Sequence, residues 1–385
     1  MQITRLRLSN WRNFTSVDVP LGLRAFLIGP NASGKSNLLD ALRFLQEIAD
    51  PEGGLQRAAG SRGGVSKLRC LAARRYSDVE IRATLLDDEA LFGSEWEYAL
   101  TFTQDSQHRP LVRAEQVLQA GKELLVRPNP EDEADPERLT QTALEQITAN
   151  ASFRRVAELL ATIAYYHAVP QIIREPDRYR SPEGERDRYG KRLLEHLATT
   201  TRTTRDARLR RINKALKAAI PQIDELKLQR DERGVPHLQG RYTHWRPQGA
   251  LQQEDQFSDG TLRLLGLLWF LQEGRGPLLL EEPELSLHPA LVRRLPGLFW
   301  TVQREQKRPP RQLIVSTHSE ELLSDRGIGG EEVLVLSPDE EGTAVNVASD
   351  LPGVRASLVE AGLSVGEALM SRTEPEGLRQ LTLAL

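Results

Sequence analysis

Residues 24–37 read Arg24-Ala25-Phe26-Leu27-Ile28-Gly29-Pro30-Asn31-Ala32-Ser33-Gly34-Lys35-Ser36-Asn37. Within them stands G-x-x-x-x-G-K-S, from Gly29 through Gly34, Lys35 and Ser36. The apolar run Ala25–Ile28 ahead of it reads as a strand, and Leu38, Leu39, Leu42, Leu45 and Ile48 behind it fall on one helical face. A glycine-rich loop between a strand and a helix is the context in which this motif holds phosphate. Its backbone N–H groups turn inward, and the helix N-terminus adds partial positive charge. Lys35 suits the terminal phosphates, and the Ser36 hydroxyl suits a divalent cation. Gly29, Pro30, Asn31, Ala32, Ser33, Gly34, Lys35, Ser36 and Asn37 are the candidate nucleotide-binding residues.

Toward the N-terminus, residues 1–9 alternate polar and apolar, and Asn10-Trp11-Arg12-Asn13-Phe14 turns the chain. Toward the C-terminus comes a glycine-rich segment. Residues 53–77 hold six basic residues (Arg57, Arg62, Lys67, Arg69, Arg74, Arg75) and no acidic one. Two readings stand: contact with a phosphate backbone, or a solvated surface loop. Val79–Leu85, Trp96–Phe102, Leu111–Leu118 and Leu124–Val126 predict an antiparallel meander. The acidic run 131–137 reads as a solvated loop. Helical patterns are expected at 138–149, 152–163 and 191–219. Residues 171–218 carry fourteen Lys or Arg against seven Asp or Glu, a solvated face or a surface for nucleic acid or a partner. Residues 222–245 alternate as hairpin strands.

The chain has 385 residues, enough for two or three domains. A net charge of −3 gives no global attraction to nucleic acid. The single cysteine, Cys70, excludes a disulfide framework and a four-cysteine zinc site, and reads as a small buried hydrophobe. No apolar run reaches the roughly 18 residues of a membrane span, and the N-terminus lacks a signal-peptide core. A cytoplasmic protein is expected.

Three further stretches follow in order. Gln256-Phe257-Ser258-Asp259-Gly260-Thr261 precedes the apolar helical run Leu262–Leu271. Leu278-Leu279-Leu280-Glu281-Glu282 ends an apolar strand in paired carboxylates, and Leu313-Ile314-Val315 ends in Ser316-Thr317-His318-Ser319. Each alone is modest: a serine before a helix is usually a cap. Their order behind a phosphate loop is the informative feature.

In that order the chain resembles the ABC-type ATPase heads of the SMC/RecF/OLD group. The resemblance implies an α/β fold: a P-loop NTPase head with a mixed core sheet, an antiparallel β subdomain and a helical insert. It implies ATP and Mg²⁺ as cofactors. Ser36 and Glu281 match the cation ligands, with Gln171 the candidate Q-loop glutamine beside them. Glu282 matches the general base, and His318 the switch histidine. Ser258, Asp259, Gly260 and Thr261 match the signature motif, which in this group caps a nucleotide bound by the opposite subunit. A homodimer or higher homo-oligomer is therefore implied. Two residues depart from the pattern: Glu281 stands for an aspartate, and Asp259 for a glycine.

The expected division is a first ATPase lobe over 1–170, a basic insert over 171–250 and a second lobe over 251–385. No heptad run of coiled-coil length separates the halves, and the 67 residues after His318 are too few for a Toprim nuclease domain. Gly362-Leu363-Ser364-Val365-Gly366-Glu367 resembles the end of compact AAA/ABC ATPases of bacterial defence modules, such as the PARIS ATPase. The expectation is an ATPase that couples turnover to double-stranded DNA or to a separate effector such as a nuclease, with no membrane. The alternatives are a RecF-like repair ATPase and an ATP-dependent scaffold with little turnover.

Overall fold

The computed structural model describes residues 1–73, 77–87, 94–179, 186–243, 250–305 and 310–373. Arg74 and Arg75 of the basic segment lie outside the described residues. In chain order the strands are β1 (Gln2–Trp11), β2 (Phe14–Pro20), β3 (Arg24–Ile28), β4 (Val79–Asp87), β5 (Ser94–Gln104), β6 (Pro110–Gln119), β7 (Lys122–Arg127), β8 (Ala164–Tyr166), β9 (Ile223–Arg230), β10 (Pro236–Tyr242), β11 (Ala250–Gln253), β12 (Leu278–Glu281), β13 (Leu313–Ser316), β14 (Val333–Asp339) and β15 (Gly342–Val347). They fall into two compact units, one of Met1–Ala164, Arg275–Leu279 and Pro310–Leu385, the other of Tyr165–Gly274 and Leu280–Pro309. The segment 251–385, expected as one lobe, is shared between both.

The first unit holds two sheets. The expected meander is present as an antiparallel sheet of order β2-β1-β4-β5-β6-β7. The second sheet has the order β15-β14-β3-β13-β12-β8, of which Leu278 and Leu279 of β12 and Ala164 of β8 belong to this unit. Its centre, β3, pairs in parallel with β13 on one side and β14 on the other. Four of the five residues of β3 are buried, as the unbroken apolar run requires of a central parallel strand.

The helix Lys35–Ala49 follows β3 and is buried on more than the expected leucine stripe: Asp40, Phe44 and Gln46 are also covered. Trp11 meets Phe44 edge-on with centroids 5.3 Å apart, and Phe44 stacks on Phe102 at 5.2 Å. Asp40 is covered because three arginines converge on it: Arg62 at 2.8 Å, Arg12 at 3.1 Å and Arg43 at 3.5 Å. Burial pushes the Asp40 carboxyl up, but Arg62, Arg43 and Arg12 outweigh it and hold the pKa below the usual range. Arg62 also bridges to Glu47, and its side chain is 6% exposed. The reading of this basic segment as a nucleic-acid contact therefore fails at Arg62. Its guanidinium is part of the core, and the segment folds into the short helices Leu55–Gly60 and Val65–Leu68.

The helix expected at 138–149 is absent: Pro136–Thr140 forms a 3-10 turn and turns follow it. Tertiary partners replace the helical ladder there. Buried Glu115 accepts from the N–H of Ala143 at 2.7 Å and of Leu144 at 3.1 Å. Arg127 Nη1 donates to Gln141 O at 2.8 Å, and Asn150 Nδ2 to Leu144 O at 3.0 Å. Arg127 also bonds Asp132 through Nη2 at 2.9 Å. Asp132, read as part of a solvated acidic run, is buried, and Arg127 holds its pKa down at about 2. A buried arginine with two carboxylates is stable only when all three are present.

The second unit contains a three-stranded antiparallel sheet of order β11-β10-β9, which includes the expected hairpin. The helix expected over 191–219 is two helices, Leu193–Thr199 and Arg202–Ala219. The hydroxyl of Thr200 donates to His196 O at 2.7 Å, closing the first helix where it stops. Leu193, Leu197, Leu209, Ile212 and Leu216 are buried, as their spacing predicts. Two of the basic residues face inward with them: Arg208 lies 5.1 Å over the Trp269 ring, and the Arg205 side chain is 18% exposed. Arg202, Arg210, Arg211, Lys214 and Lys217 are exposed. Among the described residues no helix is long and apolar enough to cross a membrane.

Candidate functional site

Of the residues singled out in the sequence, some lie in the first unit and others in the second. In the first, Ala32 has φ 63° and Gly34 has φ 96°, so the loop after β3 reverses through left-handed backbone. A Cβ on Gly34 would meet Asn13 Nδ2 at 2.2 Å, which reserves the position for glycine. Leu38 N–H donates to Gly34 O at 2.9 Å, opening the helix directly behind the loop. Lys35 Nζ donates to Gly29 O at 2.8 Å and Pro30 O at 3.0 Å, so the ammonium is held under the loop. Among the described residues the buried Ser33 hydroxyl has no hydrogen-bond partner. A buried donor without a partner, a glycine-only cradle and a captive ammonium fit a phosphate.

Asn13 braces this loop. Its Nδ2 donates to Ser33 O at 3.0 Å and to Thr343 Oγ1 at 2.7 Å, and its Oδ1 accepts from Asn37 Nδ2 at 2.8 Å. Trp11 Nε1 donates to Asn37 O at 2.8 Å. The turn Asn10–Phe14 looks in the sequence like a simple reversal, and nothing local marks Asn13 as a loop support. Asn13→Ala is expected to weaken nucleotide binding about tenfold and to destabilise the fold by ~1–3 kcal/mol through the partners left unmet. Titration with a fluorescent ATP analogue and a urea melt read the two effects separately. A cleft of about 1110 Å³ opens beside the loop, lined by Asn10, Arg12, Asn13, Ala32 and Thr343 among others.

His318 lies in the same unit. Ser316 pairs with Leu27 across β13 and β3, and Thr317 N–H donates to Leu27 O at 3.0 Å. His318 thus leaves the strand next to the one that feeds the phosphate loop, and its side chain is exposed. Ser319 caps the next turn, its Oγ accepting from Leu322 N–H at 3.2 Å.

In the second unit Glu281 ends β12, and Glu282 follows with φ 44°. Left-handed backbone at a non-glycine residue is strained, and such strain concentrates at functional positions. The Tyr165 hydroxyl donates to Glu281 Oε2, and His167 Nδ1 bonds Glu281 O at 3.0 Å. A carbonyl only accepts, so Nδ1 of His167 carries the proton. Ser258 caps the helix Asp259–Gln272, its Oγ accepting from Thr261 N–H at 3.2 Å. A Cβ on Gly260 would lie 2.7 Å from Ser286 O, so the helix start packs backbone to backbone against the loop after the carboxylates. Gln171, expected as a cation ligand, donates through Nε2 to Asp259 Oδ2 at 3.1 Å. That bond does not use Oε1, the ligating atom. Arg263, one turn into the helix, is 7% exposed, and its Nε and Nη1 have no partner among the described residues. Burial lowers its pKa, opposed by the negative neighbours Asp259, Glu282 and Glu284.

Residues 24–324, from the first residue of β3 to just beyond His318, match the family described as an AAA domain, putative AbiEii toxin of a type IV TA system. The chain belongs to this family. This AAA-domain chain is 38% identical over 89 residues to the DNA replication and repair protein RecF of Brucella abortus, covering 21% of the chain and 22% of that protein. The RecF of Brucella melitensis matches over the same share. The chain thus spans about a fifth of the curated relatives it matches. An SMC head, solved bound to the C-terminal winged-helix domain of ScpA, superposes with a TM-score of 0.54 at 15% identity, over 90% of this chain and 98% of that one. The family match and the SMC-head fold agree on an AAA/ABC-type ATPase head, similar to RecF over part of its length.

The sequence had singled out the loop, the paired carboxylates and the capped helix of this ATPase head. It had not shown Asn13, Tyr165, His167, Arg174 or Arg263. Tyr165 lies on β8 and His167 directly follows that strand, and nothing local in the sequence marks either as a partner of Glu281.

Proposed function

We propose that the chain binds ATP at Gly29–Asn37 and hydrolyses it in a dimer in which two copies enclose the nucleotides. Ser36 and Glu281, with Gln171 beside them, would hold Mg²⁺, which supplies charge neutralisation at the transferring phosphate. Lys35 orients the terminal phosphates, and Glu282 takes the proton of the attacking water. His318 contacts the terminal phosphate from the strand beside the loop. Ser258, Asp259, Gly260 and Thr261 present a helix start to the nucleotide of the second copy. The observation that carries this reading is the loop itself: left-handed backbone at Gly34 over a captive Lys35 ammonium.

Turnover is coupled, in this reading, to duplex DNA or to a separate effector such as a nuclease in bacterial defence. The family's description as a putative toxin of a type IV TA system supports the bacterial-defence setting and names no separate effector. The RecF similarity favours a second reading, a repair ATPase on DNA junctions. A scaffold that binds ATP with little turnover is the third, and a glutamate at position 282 weighs against it. ATP hydrolysis by the purified chain, with and without intact and gapped duplex DNA, separates these. Stimulation by intact duplex supports DNA sensing, and stimulation by gapped duplex alone supports repair. Steady turnover indifferent to both points to a protein trigger, and no turnover under any condition leaves the scaffold.

A further inference from the structure

Asp259 is the first residue of the helix Asp259–Gln272, directly after the capping Ser258. A carboxylate at a helix N-terminus suits the helix dipole. It is a poor neighbour for a phosphate, because like charges repel strongly in a site that excludes water. The structure deals with this charge. Arg174 Nη2 donates to Asp259 Oδ1 at 2.5 Å and to Phe257 O at 2.7 Å, on the other side of the cap. Gln171 Nε2 occupies Asp259 Oδ2 at 3.1 Å. Both carboxylate oxygens are therefore engaged by the short helix Pro170–Arg174. The Arg174 side chain is 22% exposed and the Asp259 side chain 39%, so solvent screens the pair only in part. An independent observation points the same way. Arg263, buried, with two N–H groups lacking partners among the described residues, lies along the same helix and is also attracted to Asp259.

We propose that Arg174 is a positioning residue that cancels the charge of Asp259 and pins its carboxylate. The helix start then meets a phosphate with the Ser258 hydroxyl and backbone N–H groups, without net negative charge. The segment carrying Gln171 and the signature helix become one unit through this latch. The inference rests on the reading that this helix start receives the nucleotide of a second copy.

The test uses the full chain with Glu282→Gln as parent, so that ATP is held and not consumed. Self-association with ATP and Mg²⁺ is followed by analytical ultracentrifugation, and nucleotide affinity by a fluorescent ATP analogue. Arg174→Ala is expected to weaken ATP-dependent association about tenfold or more while leaving analogue affinity unchanged. Adding Asp259→Asn should restore association, because the charge that Arg174 cancels is then gone. Arg174→Lys should retain it in part, as a cation on a shorter, differently shaped head group. A merely structural role for Arg174 would not be rescued by removing its partner's charge. If Arg174→Ala associates like the parent, or the double variant is as weak as the single one, the inference is overturned. If the parent itself does not associate with ATP, the two-copy reading fails, and the inference falls with it.

Discussion

Lys35→Ala is expected to lower ATP turnover by about a hundredfold or more and to abolish the stabilisation that ATP gives against heat. The lysine does two things that alanine cannot. It offers an ammonium to the terminal phosphates, and it ties the loop carbonyls of Gly29 and Pro30 from beneath. Losing the first removes the main positive charge at the transferring group. Losing the second leaves the buried Gly29 carbonyl and the partly buried Pro30 carbonyl short of a donor, a cost of about 1–3 kcal/mol. The apo protein should therefore melt a few degrees below the wild type, while the ATP-dependent shift disappears. Differential scanning calorimetry with and without ATP reads both quantities in one experiment. If Lys35→Ala keeps the ligand shift and the turnover, the assignment of Gly29–Asn37 as the nucleotide site is wrong.

Such a prediction was available from the sequence because the phosphate loop is a local device. Strand, glycines, lysine and helix lie within about twenty consecutive residues, and the backbone geometry follows from them. The sequence pattern also predicted the buried leucines of the basic helix, since a solvent-facing helix needs one apolar stripe. What the sequence did not show was the destination of the charges. Arg62, Asp132 and Arg208 sit in segments that read as surface, yet each is covered by partners that the fold brings up. Burial of an arginine depends on a carboxylate or ring brought close by the tertiary fold, and linear spacing carries no trace of it. The false helix at 138–149 has the same origin. Its apolar spacing is real, but Glu115 and Arg127 bind the backbone groups that a helix needs. Segments far apart in sequence build each unit, so composition shifts along the chain mark insertions and not boundaries.

Glu282→Gln is expected to separate binding from hydrolysis. The substitution keeps length and shape, turns one accepting oxygen into a donating amide nitrogen, and removes the charge and the capacity to take a proton from water. General-base catalysis contributes about 10²–10⁴-fold, so turnover should fall by that order while ATP affinity stays within a few fold. The backbone at this position has φ 44°, and glutamine has the same backbone preferences as glutamate. The strain is thus unchanged, and no large loss of stability should confuse the result. With the chemical step blocked, any complex closed by ATP accumulates. Light scattering after gel filtration in ATP and Mg²⁺ should then show a dimer that the wild type forms only transiently. Wild-type turnover in this variant would move the base to another group. Slow turnover without a dimer would keep Glu282 as the base but exclude the enclosed-nucleotide arrangement, leaving Ser258 and its helix start without the phosphate they are proposed to meet.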